Sequence, residues 1–210
     1  MKFFGLVTKK VGMTRVLDRN GNMIAVTLLS VPNQVVTKIC SKEHNGYEAV
    51  QLGYDEKAEK NLTKPDIGRL RKASVNFNFS TFREVRVVGS EAKLGEALTL
   101  ELLSDVEFID ATGFTKGRGF TGSVKRWNTA CGRMTHGSRF HRRPGSLGTR
   151  TTPGRVFKGK PVHGRYGNER VTMQKLQIVD IDKDLATIAI KGSIPGHRNG
   201  TVLIRPTVKR

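Results

Sequence analysis

The chain has 210 residues, with 37 Lys+Arg against 18 Asp+Glu and a formal net charge of +19. That length, at 37% hydrophobic residues, suits one domain or one domain with a large appendage. No run approaches the 18 or so apolar residues of a membrane span, the short apolar start is neither a secretory signal nor a transit peptide, and two cysteines, Cys40 and Cys131, build no disulfide framework. The expectation is a reduced, intracellular protein whose partner is a polyanion, nucleic acid ahead of an acidic membrane surface.

In chain order, Phe3 to Val7 is a short apolar run that reads as a first strand. Met13 to Leu17 and Met23 to Val31 flank Asp18-Arg19-Asn20-Gly21-Asn22, a hairpin signal. Val35 to Cys40 and Tyr47 to Tyr54 flank His44-Asn45-Gly46, a second one. Residues 57–72 are the one helical stretch, short and broken at Pro65. Strands are predicted over Phe82 to Val88, Leu98 to Leu103 and Val106 to Ala111, with Asp105, Glu107 and Asp110 on a solvent face. Further on, Val171 to Ile181 alternates, with Val171, Met173, Leu176, Ile178 and Ile181 apolar. Asp182-Lys183-Asp184 turns the chain into Leu185 to Ile190, and Val202 to Ile204 ends the set. About eight to ten short strands with regular turn signals describe a mainly β fold, a closed barrel or a sandwich.

The charge is unevenly spread. Residues 1–110 hold 16 Lys+Arg and 14 Asp+Glu, residues 111–175 hold 15 and a single acid, Glu169, and residues 176–210 hold six and three. The middle stretch also has 12 of the 23 glycines and three of the seven prolines. Such a composition buries too little apolar surface to offset roughly 1–2 kcal/mol of backbone entropy per residue. The counter-charge must come from outside the chain. A disordered basic loop is the plain alternative, and six aromatics argue against it: Phe114, Phe120, Trp127, Phe140, Phe157 and Tyr166. Cations that meet phosphates, rings that stack on unpaired bases and glycines that bring the backbone close suit a segment that orders on RNA. The organisation predicted is a β-domain of residues 1–112 plus 171–210, with residues 113–170 as a long, irregular, basic Gly/Arg-rich extension.

Within the extension, Gly117-Arg118-Gly119-Phe120-Thr121-Gly122 matches a dinucleotide fingerprint. That site needs a βαβ unit and an acid about 20 residues on; no acid follows before Glu169, and Ser123 to Arg126 opens no clear amphipathic helix. The glycines read instead as a tight path past phosphates, neutralised by Lys116 and Arg118. Cys131, His136 and His141 have loosely metal-like spacing, but the nearest fourth candidate, His163, is unpaired, and no carboxylate lies near them in sequence to orient a Cys–His nucleophile. No metal, cofactor or catalytic residue is predicted. Pro144-Gly145 and Pro153-Gly154 bracket an exposed tip carrying Arg142, Arg143 and Arg150, flanked by Arg139 and Arg155. Arginine suits bidentate phosphate contact and base stacking.

The residues resemble the bacterial form of the large-subunit ribosomal protein L-three family. Gly5-Leu6-Val7-Thr8-Lys9-Lys10-Val11-Gly12-Met13-Thr14-Arg15 is typical of its opening. Its signature runs from Leu103 through Asp110, Gly113, Thr115, Gly117, Arg118, Gly119 and Gly122 to Arg126. Further matches are Lys125-Arg126-Trp127, Thr135-His136-Gly137-Ser138, Arg143-Pro144-Gly145-Ser146 and the run from Pro153 to Lys160. Gly167-Asn168-Glu169-Arg170-Val171-Thr172 and the run from Lys191 to Gly196 complete them.

The resemblance implies a barrel of the translation-protein type and an extension that enters 23S-type rRNA toward the peptidyl transferase centre. It implies early binding in subunit assembly, a structural role in the cytoplasmic large ribosomal subunit without enzymatic activity, and L-fourteen and L-nineteen as neighbours. The tip would span Ser146 to Thr152, with Trp127 and Arg133 to Arg143 lining the stem. Thr149 stands where some relatives carry a methylated glutamine, so that modification is not expected. The RNA-contact candidates are Lys116, Arg118, Lys125, Arg126, Trp127, Arg133, His136, Arg139, His141, Arg142, Arg143, Thr149, Arg150, Arg155, Lys158, Lys160 and Arg165, with Gly117, Gly119, Gly122, Gly145, Gly148 and Gly154 as points of backbone approach. The competing readings are a basic DNA- or RNA-binding regulator or chaperone outside the ribosome, and a nucleotide-dependent enzyme.

Overall fold

The computed structural model describes residues 5–17, 21–87 and 92–209. Phe3, Phe4, the turn residues Asp18, Arg19 and Asn20, and Val88 lie outside the described residues. In chain order the elements are β1 (Leu6–Leu17), β2 (Met23–Ser30), β3 (Gln34–Cys40), α1 (Lys42–Asn45), β4 (Ala49–Glu56), α2 (Lys64–Lys72), β5 (Phe79–Arg86), β6 (Phe108–Phe114), β7 (Gly119–Thr121), α3 (Ser123–Trp127), β8 (Gly164–Tyr166), β9 (Arg170–Asp182), β10 (Thr187–Lys191) and β11 (Thr201–Pro206). The fold is mainly β. The chain divides into two compact units, Met1–Phe114 with Arg170–Arg210, and Thr115–Glu169.

In the first unit, six strands pair antiparallel in the order β1–β11–β6–β9–β10–β2, and β2 pairs again with β1, so the pairings close into a ring. β3, β4 and β5 form a separate antiparallel sheet. One apolar core joins the two. Leu6, Leu29, Ile109, Ile188, Ile190 and Ile204 of the ring pack with Val36, Val50, Leu52 and Val85 of the second sheet. α2 covers a smaller cluster of Val35, Leu70 and Phe79.

A buried amide ties the sheets together. β2 pairs with β1 only from Lys9 onward, so the Val7 backbone lacks a strand partner on that side. Gln34, 1% exposed, supplies one. The Val7 N–H donates to Gln34 Oε1 at 2.9 Å, and Gln34 Nε2 donates to the Val7 carbonyl at 3.2 Å. Gln34→Leu keeps the volume and strands both backbone groups, each at about 1–3 kcal/mol. The expected loss is about 2–6 kcal/mol of stability, read as a fall in the urea midpoint. An unchanged midpoint would mean that water replaces the amide.

The two hairpins read from the sequence are present: β1 pairs with β2 out to Leu17 against Met23, and β3 pairs with β4 out to Cys40 against Ala49. The second is closed by the single turn α1 and by Gly46 in the left-handed region (φ 76°). Other expectations are corrected. The polar stretch Thr8 to Gly12, which split the first strand in the sequence reading, is strand throughout. Thr8 is buried with its Oγ1 donating to the Val202 carbonyl (2.9 Å), and the Lys9 ammonium pairs with Asp55.

Leu98 to Leu103 is not a strand. Leu100–Leu103 is a 3-10 turn, because Ser104 turns its own N–H and hydroxyl back onto the Glu101 carbonyl. Asp105 and Glu107 precede β6, and only Asp110 lies in it. Asp110 Oδ1 accepts the Lys175 N–H at 2.9 Å, where a bulge in β9 shifts the register between Ile109 and Ala111. That bulge is why Met173 and Leu176 break the alternation. Pro65 sits in the first turn of α2, where it lacks only an orphan N–H, and so opens the helix rather than breaking it.

Candidate nucleic-acid interface

The second unit, Thr115–Glu169, holds 13 Lys+Arg and one acid, a net of +12 in 55 residues. Its base is a paired ribbon. β7 runs antiparallel to β8, with Gly119, Phe120 and Thr121 opposite Tyr166, Arg165 and Gly164. Backbone bonds carry the pairing outward: Arg118 N–H to the Tyr166 carbonyl (2.8 Å), Asn168 N–H to Thr115 (3.2 Å) and Thr115 N–H to Glu169 (3.0 Å). The extension therefore has regular structure at its root, where the sequence reading had only irregular chain. The five-residue helix α3 follows β7, where no clear helix was expected, and ends at Asn128 in the left-handed region (φ 56°).

α3 is held down by one carbonyl. Trp127 Nε1 donates to Val162 O at 2.9 Å, and Arg126 Nη1 donates to the same oxygen at 3.2 Å. The Arg126 guanidinium also lies 5.0 Å from the Trp127 ring centre. This fixes the indole by its edge while it stays 49% exposed. A fixed, exposed ring is a stacking platform with little rotamer entropy left to lose on binding.

Twelve of the 13 cations are exposed, and Arg126 alone is half-buried. Among the described residues, none of the 13 pairs with an acid. Lys116 and Arg118 flank the ribbon, Arg165 lies in β8, and Lys125 and Arg126 lie on α3. Arg133, His136, Arg139, His141, Arg142 and Arg143 follow in an exposed loop closed by Gly132 N–H to the His141 carbonyl (2.6 Å). Thr149, Arg150, Arg155, Lys158 and Lys160 are exposed in the irregular stretch beyond. All five rings of this unit, Phe120, Trp127, Phe140, Phe157 and Tyr166, are between 41% and 73% exposed, so none is committed to a core. Arg155 lies 5.5 Å from the Phe157 ring centre, and His163 the same distance from Phe120. Open cations beside open rings are the groups that phosphates and unstacked bases would require of a protein surface.

Gly119, Gly148 and Gly154 have positive φ, whereas Gly117, Gly122 and Gly145 do not. Two glycines not predicted as points of backbone approach are crowded, Gly167 by backbone and Gly164 by the movable end of a side chain. A Cβ at Gly164 would strike the Arg126 guanidinium, and one at Gly167 the Lys116 carbonyl oxygen. Only their place opposite residues 115–121 reveals this, and nothing in the local sequence does.

The glycine run belongs to an antiparallel ribbon, not to the parallel βαβ unit a dinucleotide requires. Cys131 is exposed with the Arg142 Nη1 at 3.7 Å from its Sγ, and Cys40 is buried in β3. Among the described residues no three His, Cys, Asp or Glu side chains gather as a metal site.

The family model described as Ribosomal protein L3 matches residues 90–189. The large ribosomal subunit protein uL3 of Pelobacter propionicus is 44% identical over 206 residues, covering 98% of both chains. That of Alkaliphilus metalliredigens is 44% identical over 207 residues, again 98% of both, and that of Geobacillus kaustophilus 42% over 206 residues, 98% of this chain and 96% of its own.

Proposed function

The chain belongs to the ribosomal protein L3 family, a family of large-subunit ribosomal proteins and not of enzymes, and we propose that its basic unit is the part that enters the RNA of the large subunit. The observation that carries this is the unit Thr115–Glu169: 13 Lys+Arg, no acid partner for any of them among the described residues, and five open rings. The protein binds 23S-type rRNA directly. Lys116, Arg118, Arg165 and the cations from Lys125 to Lys160 neutralise phosphates, Trp127 stacks, and the glycines let the backbone approach. The stretch around Ser146 to Thr152 points toward the peptidyl transferase centre.

The closed ring of six pairings is what supports reading the first unit as a barrel of the translation-protein type. The family resemblance adds an early, nucleating role in subunit assembly and contacts with L-fourteen and L-nineteen. Sedimentation of cell lysate through sucrose, at low and then high salt, tests the reading. The protein should travel with the large subunit and survive the high-salt wash. Protein left near the top of the gradient, or stripped by moderate salt, would move it to a regulator or chaperone outside the ribosome.

A further inference from the structure

A second cationic site lies in the first unit, outside the extension. A cavity of about 200 Å³ is lined by Arg83 of β5, Thr112, Gly113 and Phe114 of β6, Arg170 of β9 and Leu203 of β11. The Arg83 guanidinium stands 5.9 Å from the Phe114 ring centre, and Arg170 is the register partner of Phe114. Arg205 follows Leu203 by two residues on β11 and so shares its face. A Cβ at Gly5 would come within 3.2 Å of Arg205 Cγ and 3.3 Å of Val85 Cγ1, which brings the Arg205 stem beside the same face of β5 that carries Arg83.

These three arginines have no compensating acid among the described residues. Glu84 also lines the cavity, but its carboxylate accepts from the Tyr47 hydroxyl (2.9 Å) and from Gln51 Nε2 (3.4 Å). Asp110, opposite Arg205 in register, accepts the Lys175 N–H. The Arg205 Nε is buried and has no acceptor among the described residues. Burial, and then the neighbouring Arg170 charge, push its guanidinium below the ordinary arginine value. A half-buried cation facing a second cation is unfavourable until an anion joins them, and guanidinium forks fit the oxygens of a phosphate.

We propose that Arg83, Arg170 and Arg205 form a phosphate site on the first unit, which takes a backbone phosphate of RNA and gives the protein a contact independent of its extension. The RNA source rests on the function proposed above, whereas the phosphate chemistry does not.

The test uses the full chain and two probes, inorganic phosphate and a transcript of the large-subunit rRNA. Phosphate should raise the melting temperature of the wild type above that in chloride of equal ionic strength. Arg205→Gln and Arg170→Gln should each lose that shift, and Arg205→Lys should keep part of it. On the transcript, each Gln variant should flatten the slope of log K against log salt by about 1. A wild type with no phosphate-specific shift and variants with the wild-type slope would overturn the site, while RNA binding itself stands. A phosphate shift with unchanged slopes would overturn the RNA source. A phosphate shift in a wild type that binds no RNA would fail the functional reading and leave a site for free phosphate.

Discussion

Replacing residues 115–169 with an Asn-Gly turn should give a protein that folds and no longer enters large ribosomal subunits. The fold should survive because Phe114 and Arg170 are direct register partners, so the chain is cut and rejoined across one cross-strand pair. A two-residue Asn-Gly loop has the backbone twist that such a pair needs. Both hydrophobic clusters lie wholly in the unit that remains. Binding should collapse because the deletion removes 13 of the 37 Lys+Arg and one of the 18 acids, and the net charge falls from +19 to +7. If roughly ten of those cations meet phosphates, the full chain should show a salt slope of about −7 to −9. Losing most of that slope costs several orders of magnitude in affinity at moderate salt. Circular dichroism should show a cooperative β melt, and the deleted protein should stay at the top of a sucrose gradient. Incorporation into mature subunits or polysomes would overturn the prediction.

The sequence revealed these two units unequally. The first announces itself through apolar alternation and turn chemistry, which is why β2, β3, β4 and β10 lie where they were read. It misleads where a strand is held by something other than alternation. Thr8 is buried on a hydroxyl bond and Lys9 is neutralised by Asp55, so strand continues through residues that read as a break. Around Lys175 the bulge changes which face each side chain takes, and no composition signals a bulge. Leu98, Leu100 and Leu103 are buried, yet the turn bonds of Ser104 put Leu100 and Leu103 in a 3-10 segment rather than the strand read there.

The extension is legible as chemistry and not as geometry. Its cations and rings follow from composition, since a chain with one acid in 55 residues cannot neutralise itself. The ribbon at its root does not. Its partners, such as Gly119 and Tyr166, lie far apart in sequence, and runs of three residues are too short to show a period. Distance in sequence also hid Arg83, Arg170 and Arg205, which come from three separate strands and stand out only when the two sheets pack on one core.

Gly167→Ala should open the ribbon without unfolding the first unit, and it should weaken RNA binding with no change of charge. Gly167 has φ +74°, and the added Cβ would collide with the Lys116 carbonyl oxygen, with the Lys116 carbonyl carbon at 3.0 Å and the Gly117 Cα at 3.1 Å. All three are backbone atoms, so no side chain can swing away. An L-residue in the left-handed region adds about 1–2 kcal/mol. The next residue, Asn168, is also left-handed (φ 56°), which leaves the turn no easy way to share the strain. Relief requires the 115–118 segment to move off, breaking the bonds from Arg118 to Tyr166 and between Thr115 and both Asn168 and Glu169. Each is worth about 0.5–1.5 kcal/mol net, and within this unit only Thr121 and Ser123 are buried to hold the strands together otherwise. The local cost therefore matches or exceeds the local stability.

Gly117→Ala is the control. Its Cβ would meet only the Asn168 Cβ, at an ordinary 3.7 Å, and its φ is not positive. Hydrogen exchange should show the Arg118 and Asn168 amides unprotected in Gly167→Ala and protected in Gly117→Ala, with the main melting transition unchanged in both. Affinity for the rRNA transcript should fall in the first variant alone, because a ribbon that has opened no longer aims Arg118, Arg165 and the exposed Phe120 ring together. Equal protection in the two variants would show that the ribbon yields elsewhere and that its geometry does not set the RNA contacts.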